Sequence, residues 1–169
     1  MEESSILQRR RRVARPAPTP WPSARMRQRA DADTGGRTQV DELHRMLATY
    51  GRAGGVATGE EVAGRMRDRF DRPVSQLARW IAERQVVSFT WGVVVLIPIF
   101  QFEKPAMARR PAVTDALAEL RPFTDDWESA LWFVQPNCWL DDGLPIDRLA
   151  NQAPAVLQAA RADRFVALG

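Results

Sequence analysis

The sequence predicts a mainly α fold, with a small helical domain preceded by a helix-turn-helix with a β-hairpin wing, and ahead of both a disordered basic N-terminal tail. Apolar residues recur at helical spacing in most segments after residue 37, β-branched residues crowd both sides of Gly92, and Arg and Pro dominate the first third. The apolar fraction, 45%, is that of a globular chain, yet many of its 10 Gly and 12 Pro sit early, so the ordered part is shorter than the 169 residues.

Charge divides the chain in the same place. Residues 1–37 hold nine Lys/Arg against four Asp/Glu, whereas residues 38–169 hold 15 against 17. The segment Arg9 to Arg12, followed by Arg15, Pro16, Pro18, Pro20 and Pro22, buries too little apolar surface to offset the entropy of ordering. Such a tail serves solubility or a sequence-independent grip on phosphates. A single Cys138 forms no internal disulfide, and with His44 as the only histidine it makes no conventional zinc site, so neither metal nor cofactor is expected. The longest apolar run, Val93 to Ile97, is far too short to span a bilayer, and no apolar stretch follows the N-terminal basic residues; a cytoplasmic protein without membrane contact is expected.

After the tail, residues 38–55 form a short amphipathic helix and hinge. Val40, Leu43, Leu47 and Tyr50 recur at helical spacing with Asp41 and Glu42 in the first turn, and GRAGG follows as a flexible joint. Residues 56–104 make the winged helix-turn-helix-like unit. Thr58 and Glu61 have the spacing of a capping box for a helix to about Arg67, and Pro73 suits the first turn of a second helix whose buried stripe is Val74, Leu77, Ala78 and Ile81. That stripe leaves Ser75, Gln76 and Arg79 on the opposite face, with Arg72 and Arg84 near the ends. All five suit contacts to base edges or phosphates. VVSF, TWG and VVVLIPIFQF then read as strand, turn and strand. The bland alternative is a structural helix pair with a capping hairpin, since the unit carries seven basic against six acidic residues.

Residues 105–169 form the helical domain, entered through the linker EKPAMARRP. Helices are expected at Pro111 to Leu120, Asp125 to Val134, Pro145 to Ala150 and Pro154 to Asp163. On the second of these, Trp127, Ala130, Leu131 and Val134 fall within about 100° of arc, one core-facing stripe. Trp132 and Phe133 point elsewhere, toward either a neighbouring helix or a partner. Pro136 ends the helix, Asn137 bridges the backbone of the turn, Gly143 adds conformational freedom and Pro145 presets the next helix. Asp141, Asp142 and Asp147 have no base, nucleophile or ligand set beside them, so no catalytic residue is expected, and Cys138 reads as a buried inert thiol.

The stretch WFVQPNCWLDDGLPIDRLANQAPAVLQAARADRF resembles the C-terminal domain of the antitoxin Xre/MbcA/ParS-like toxin-binding family, through Trp132, Pro136, Asn137, Leu140, Gly143, Pro145 and Leu149. The resemblance covers about residues 56–169 and is strongest in 123–165. It implies an all-helical domain that binds and masks a toxin, commonly an NAD-consuming enzyme encoded next to it, with an upstream unit on operator DNA. Trp132, Phe133, Trp139, Arg161, Arg164 and Phe165 are the expected partner-binding residues, because aromatic side chains and Arg are enriched at interface hot spots. The function expected is thus a non-enzymatic antitoxin-like protein, also forming a homo-oligomer. The alternative is a stand-alone DNA-binding regulator whose helical domain mediates self-association.

Overall fold

The computed structural model describes residues 35–169. The basic tail lies outside the described residues up to residue 34. Helix α1, Gly35–Arg52, begins inside the stretch assigned to the tail and packs Leu43, Met46 and Tyr50 inward. The Tyr50 hydroxyl donates to the Ala130 carbonyl at 2.7 Å, so this helix is anchored to a segment eighty residues away. GRAGG forms a hydrogen-bonded turn: Gly54 and Gly55 take φ of 107° and 84°, the Gly55 amide donates to the Tyr50 carbonyl and the Gly55 carbonyl accepts from the Ile99 amide. Those dihedrals are why glycines stand there.

Strand β1, Val56–Thr58, leads directly into α2, Gly59–Arg65. The capping box forms as its spacing predicts, with Thr58 Oγ1 accepting from the Glu61 amide and the Glu61 carboxylate accepting from the Thr58 amide. Helix α3 spans Pro73–Ala82, and strands β2, Phe89–Trp91, and β3, Val94–Pro98, close a two-residue turn at Gly92–Val93 where Gly92 has φ 60°. The sheet has the order β1-β3-β2, antiparallel throughout, with Thr58 opposite Leu96 and Phe89 opposite the same Leu96 from the other side.

On α3 the expected inward stripe holds at Leu77 and Ile81 and fails at Val74 and Ala78. Leu77 and Trp80 are buried, Ile81 is half-buried, and Val74 and Ala78 face solvent. The helix has turned to bury its largest side chain: the Trp80 indole meets Phe70 edge-on at 5.4 Å and Phe102 at 6.4 Å, and an indole removes far more apolar area from water than a valine. The long apolar run also does not stay in one strand. Past Pro98 it coils into a 3₁₀ turn, Ile99–Gln101, and pairs as β4, Phe102–Glu103, with β5, Ala108–Arg109, so the supposed linker is a small hairpin. Gln101 explains the break. Its buried amide accepts from the Val87 amide and donates to the carbonyls of Val87 and Pro98, satisfying backbone that a continuing strand would have paired.

The helical part comprises α4, Pro111–Leu120, α5, Asp126–Val134, a 3₁₀ turn at Cys138–Leu140, α6, Pro145–Arg148, and α7, Ala153–Leu168. Helix α5 starts on a second capping box, Asp125 with Glu128. Helix α7 packs along α4 and runs five residues past the expected Asp163.

Two apolar clusters fill the molecule. One lies between α2, α3 and the sheet, around Met66, Leu77, Trp80, Ile97 and Phe102. The larger joins α1 and the helical part to Val87, Phe89 and Phe100, so the interior crosses the boundary drawn at residue 104. Among the described residues no helix is long and apolar enough to cross a membrane.

Candidate functional site

The Pro-Asn joint is organised by a residue that sequence reasoning left unassigned. Val156, Ala159, Ala160 and Asp163 share the buried face of α7, which places one carboxylate at a core position. Asp163 is 3% exposed, and three side chains donate to it: Trp132 Nε1 and Asn137 Nδ2 to Oδ2, at 2.8 and 2.9 Å, and Trp139 Nε1 to Oδ1 at 2.9 Å. Asn137 also accepts from the Trp139 amide at 2.9 Å, and its backbone pairs with Gly143. A buried carboxylate with three donors, two of them indoles, fixes the joint to the last helix. The sequence signal is only partial: a lone Asp on an apolar stripe, i+7 from Val156, marks a buried carboxylate without naming its donors.

This corrects the surface expected of the aromatic residues. Trp132 and Phe133 lie in the interior, 1% and 0% exposed, in edge-to-face contact with each other at 5.1 Å, and Phe133 also packs on Phe100. Trp139 is different: its indole N–H is tied to Asp163 while the residue is 42% exposed. Gly143 is also needed for another reason than conformational freedom. The left-handed residues of the loop are Asp141 and Asp142, with φ of 54° and 59°, whereas a Cβ on Gly143 would fall 2.8 Å from Arg148 Nε and 2.9 Å from the Leu140 carbonyl oxygen. Pro136 is exposed, and Pro145 occupies the first turn of α6 as its type predicts.

Beyond Asp163 the last helix leaves the core. Arg164, Phe165, Val166 and Leu168 are all exposed, Phe165 by 74%. Arg161 and Arg164 are held by one carboxylate of α4, Glu119, at 3.0 and 2.9 Å, and these hydrogen bonds pull the Glu119 carboxyl below its usual range. Together these residues border an open groove of about 490 Å³ lined by Glu119, Arg161, Arg164, Phe165 and Leu168. The face is apolar and cationic, since two guanidiniums share one carboxylate.

On α3, Arg72, Ser75 and Arg79 face solvent and Gln76 is half-buried, with Arg79 Nη2 donating to Gln76 Oε1 at 3.2 Å. Arg84 does not belong to this face. It follows α3 in the left-handed region, φ 49°, and its guanidinium turns to the helical part, donating to Asp126 at 2.7 Å, to the Arg121 carbonyl at 3.2 Å and to Ser129 Oγ at 3.0 Å. The sequence places it near the end of this helix because the expected helix runs through Arg84, whereas the helix stops at Ala82.

For chemistry the described residues offer little. No group of three His, Cys, Asp or Glu among them is placed to hold a metal ion, and Cys138 has its thiol pushed up, first by burial and then by the charges of Asp163 and Asp142, which disfavours the nucleophilic thiolate. Comparison with protein-family models, with curated proteins and with solved structures finds no match for this chain.

Proposed function

We propose that this chain is an antitoxin-like protein that binds and neutralises a partner toxin enzyme through its helical part, and that its upstream unit is a winged helix-turn-helix that binds operator DNA. The observation carrying the first half is the free end of α7. A helix whose base is locked by Asp163 projects Arg164, Phe165, Val166 and Leu168 into solvent. Leaving a phenylalanine in water forgoes about 1.5–3 kcal/mol of burial. A partner gains that area with little ordering cost, because the helix is already formed. Trp139, tied to Asp163, leaves further aromatic surface open at the joint. The resemblance of residues 123–165 to the toxin-binding family points to the same surface.

The DNA half draws support from element order: a helix, a strand, two helices and a hairpin, with the sheet arranged β1-β3-β2 and α3 as the second helix of the pair. A second reading, the stand-alone regulator that self-associates, is favoured by the same α7 end, since a second copy would cover it equally well.

The protein encoded next to this chain separates the readings. Full-length protein is expected to bind that neighbour and suppress its activity, and Phe165→Ala and Arg164→Ala should each weaken binding about tenfold or more, within the range of hot-spot truncations, without lowering the melting temperature. Both variants keeping full affinity and neutralisation would remove the α7 end from the interface. A neighbour that does not bind, together with a dimer that dissociates on Phe165→Ala, would leave the self-associating regulator.

A further inference from the structure

We infer that Val74 is a base-reading residue, contacting the 5-methyl group of thymine when α3 lies in the major groove of duplex DNA, with Arg72 and Arg79 reaching phosphates from the opposite border of the same helix face. This rests on the winged reading of the upstream unit and deepens it to a sequence preference.

Val74 is a large apolar side chain 69% exposed on a helix whose core needs are met by Leu77 and Trp80. At about 100° per residue, the outward arc of α3 runs from Val74 through Ala78, Ala82 and Ser75 to Arg79 and Arg72, all exposed. Its centre is small and its borders are not. A helix with side chains is about 10–12 Å across and the major groove about 12 Å wide, so Ser75, Ala78 and Ala82 let the backbone seat deeply. Arg72 and Arg79 then reach one side, and Val74 meets the other as a bare methyl surface.

The charge beside this arc selects the partner. Arg72 and Arg79 border the arc and are exposed, and among the described residues the ion pairs involve Arg84, Arg161 and Arg164 instead. Glu83, exposed at the end of the arc beside Arg72 and Arg79, and Asp71 moderate the field; Glu61 is engaged by Thr58. Guanidiniums bordering an arc of methyl and methylene groups fit a ligand with phosphates along its edges and apolar spots between them, which is the major groove of thymine-containing DNA. The hairpin tip adds no competing readout: Gly92, Val93, Val94 and Val95 carry no charge and no side-chain donor. Discrimination between bases therefore falls to α3.

The full chain, with Arg9 to Arg12 replaced by Ala to remove the tail's contribution, is used to select bound sequences from a random duplex pool. In the preferred duplex each thymine is then replaced by deoxyuridine, which lacks only the methyl group. At least one replacement should weaken binding about fourfold, the equivalent of one buried methyl at ~0.8 kcal/mol, and Val74→Ala should abolish that sensitivity while leaving the melting temperature unchanged. Arg72→Ala and Arg79→Ala should weaken all duplexes and each reduce the slope of log affinity against log salt by about 0.9. A selected sequence with no methyl-sensitive thymine, or a sensitivity that persists in Val74→Ala, overturns this inference and leaves DNA binding standing. A chain that enriches no duplex overturns both, and a protein partner lost on Val74→Ala would assign the face to that protein.

Discussion

Asp163 accepts from Trp132, Asn137 and Trp139, so removing its carboxylate leaves three buried or half-buried donors without an acceptor. Each such donor costs about 1–3 kcal/mol, and Asp163→Ala should therefore destabilise the protein by roughly 3 kcal/mol or more in urea unfolding. Asp163→Asn keeps the shape but turns an N–H₂ toward a donor, so it should fall between wild type and Ala. A loss below about 1 kcal/mol for the Ala variant would mean that water replaces the carboxylate and that the joint is held otherwise. Part of this knot can be read directly from the chain: Pro136 and Asn137 mark a turn by their own backbone chemistry. The acceptor that Asn137 and the two indoles share cannot, because it arrives from a helix more than twenty residues later.

Helix α3 and its exit show how packing redirects a correct element. Pro73 starts the helix where its fixed φ predicts, but the inward face is set by Trp80, whose partners Phe70 and Phe102 come from other elements. Just past the end, Arg84 ties the upstream unit to the start of α5. Its ion pair with half-exposed Asp126 contributes little by itself. Its bonds to the Arg121 carbonyl and Ser129 matter more, and Arg84→Ala should cost about 1–2 kcal/mol and speed amide exchange across residues 121–129. DNA affinity should not change, since the guanidinium faces away from α3's outward arc. An affinity loss at unchanged stability would return Arg84 to the DNA-binding face.

At the scale of the whole molecule, the larger apolar cluster draws Leu43, Met46 and Tyr50 from α1, Val87, Phe89 and Phe100 from the upstream unit, and Leu117, Leu131, Phe133 and Val156 from the helical part. Trp127 stacks on Trp91 at 5.8 Å and meets Phe89 edge-on at 5.6 Å, adding an aromatic seam across the same boundary. Elements that share one interior lose it together. Heating should therefore give one transition, with tryptophan near-ultraviolet and backbone far-ultraviolet signals coincident. Two resolved transitions, one reporting Trp80 and the other Trp132, would show that the units are stable separately.

The sequence by itself determined what local chemistry controls: a mainly helical chain, the Thr58 capping box, the Gly92 turn, and helices opened by Pro73, Pro111 and Pro145. Each depends on backbone geometry within a few residues, so each is present in the string. Only the tertiary structure decided which side chains are surface. Trp132 and Phe133, read as candidates for a partner, are claimed by Asp163 and Phe100; Val74, read as core, is released by Trp80; Arg84, read as a DNA contact, is taken by α5. Burial depends on what the rest of the chain brings to the same place, and that competition is settled by three-dimensional packing rather than by spacing along the sequence.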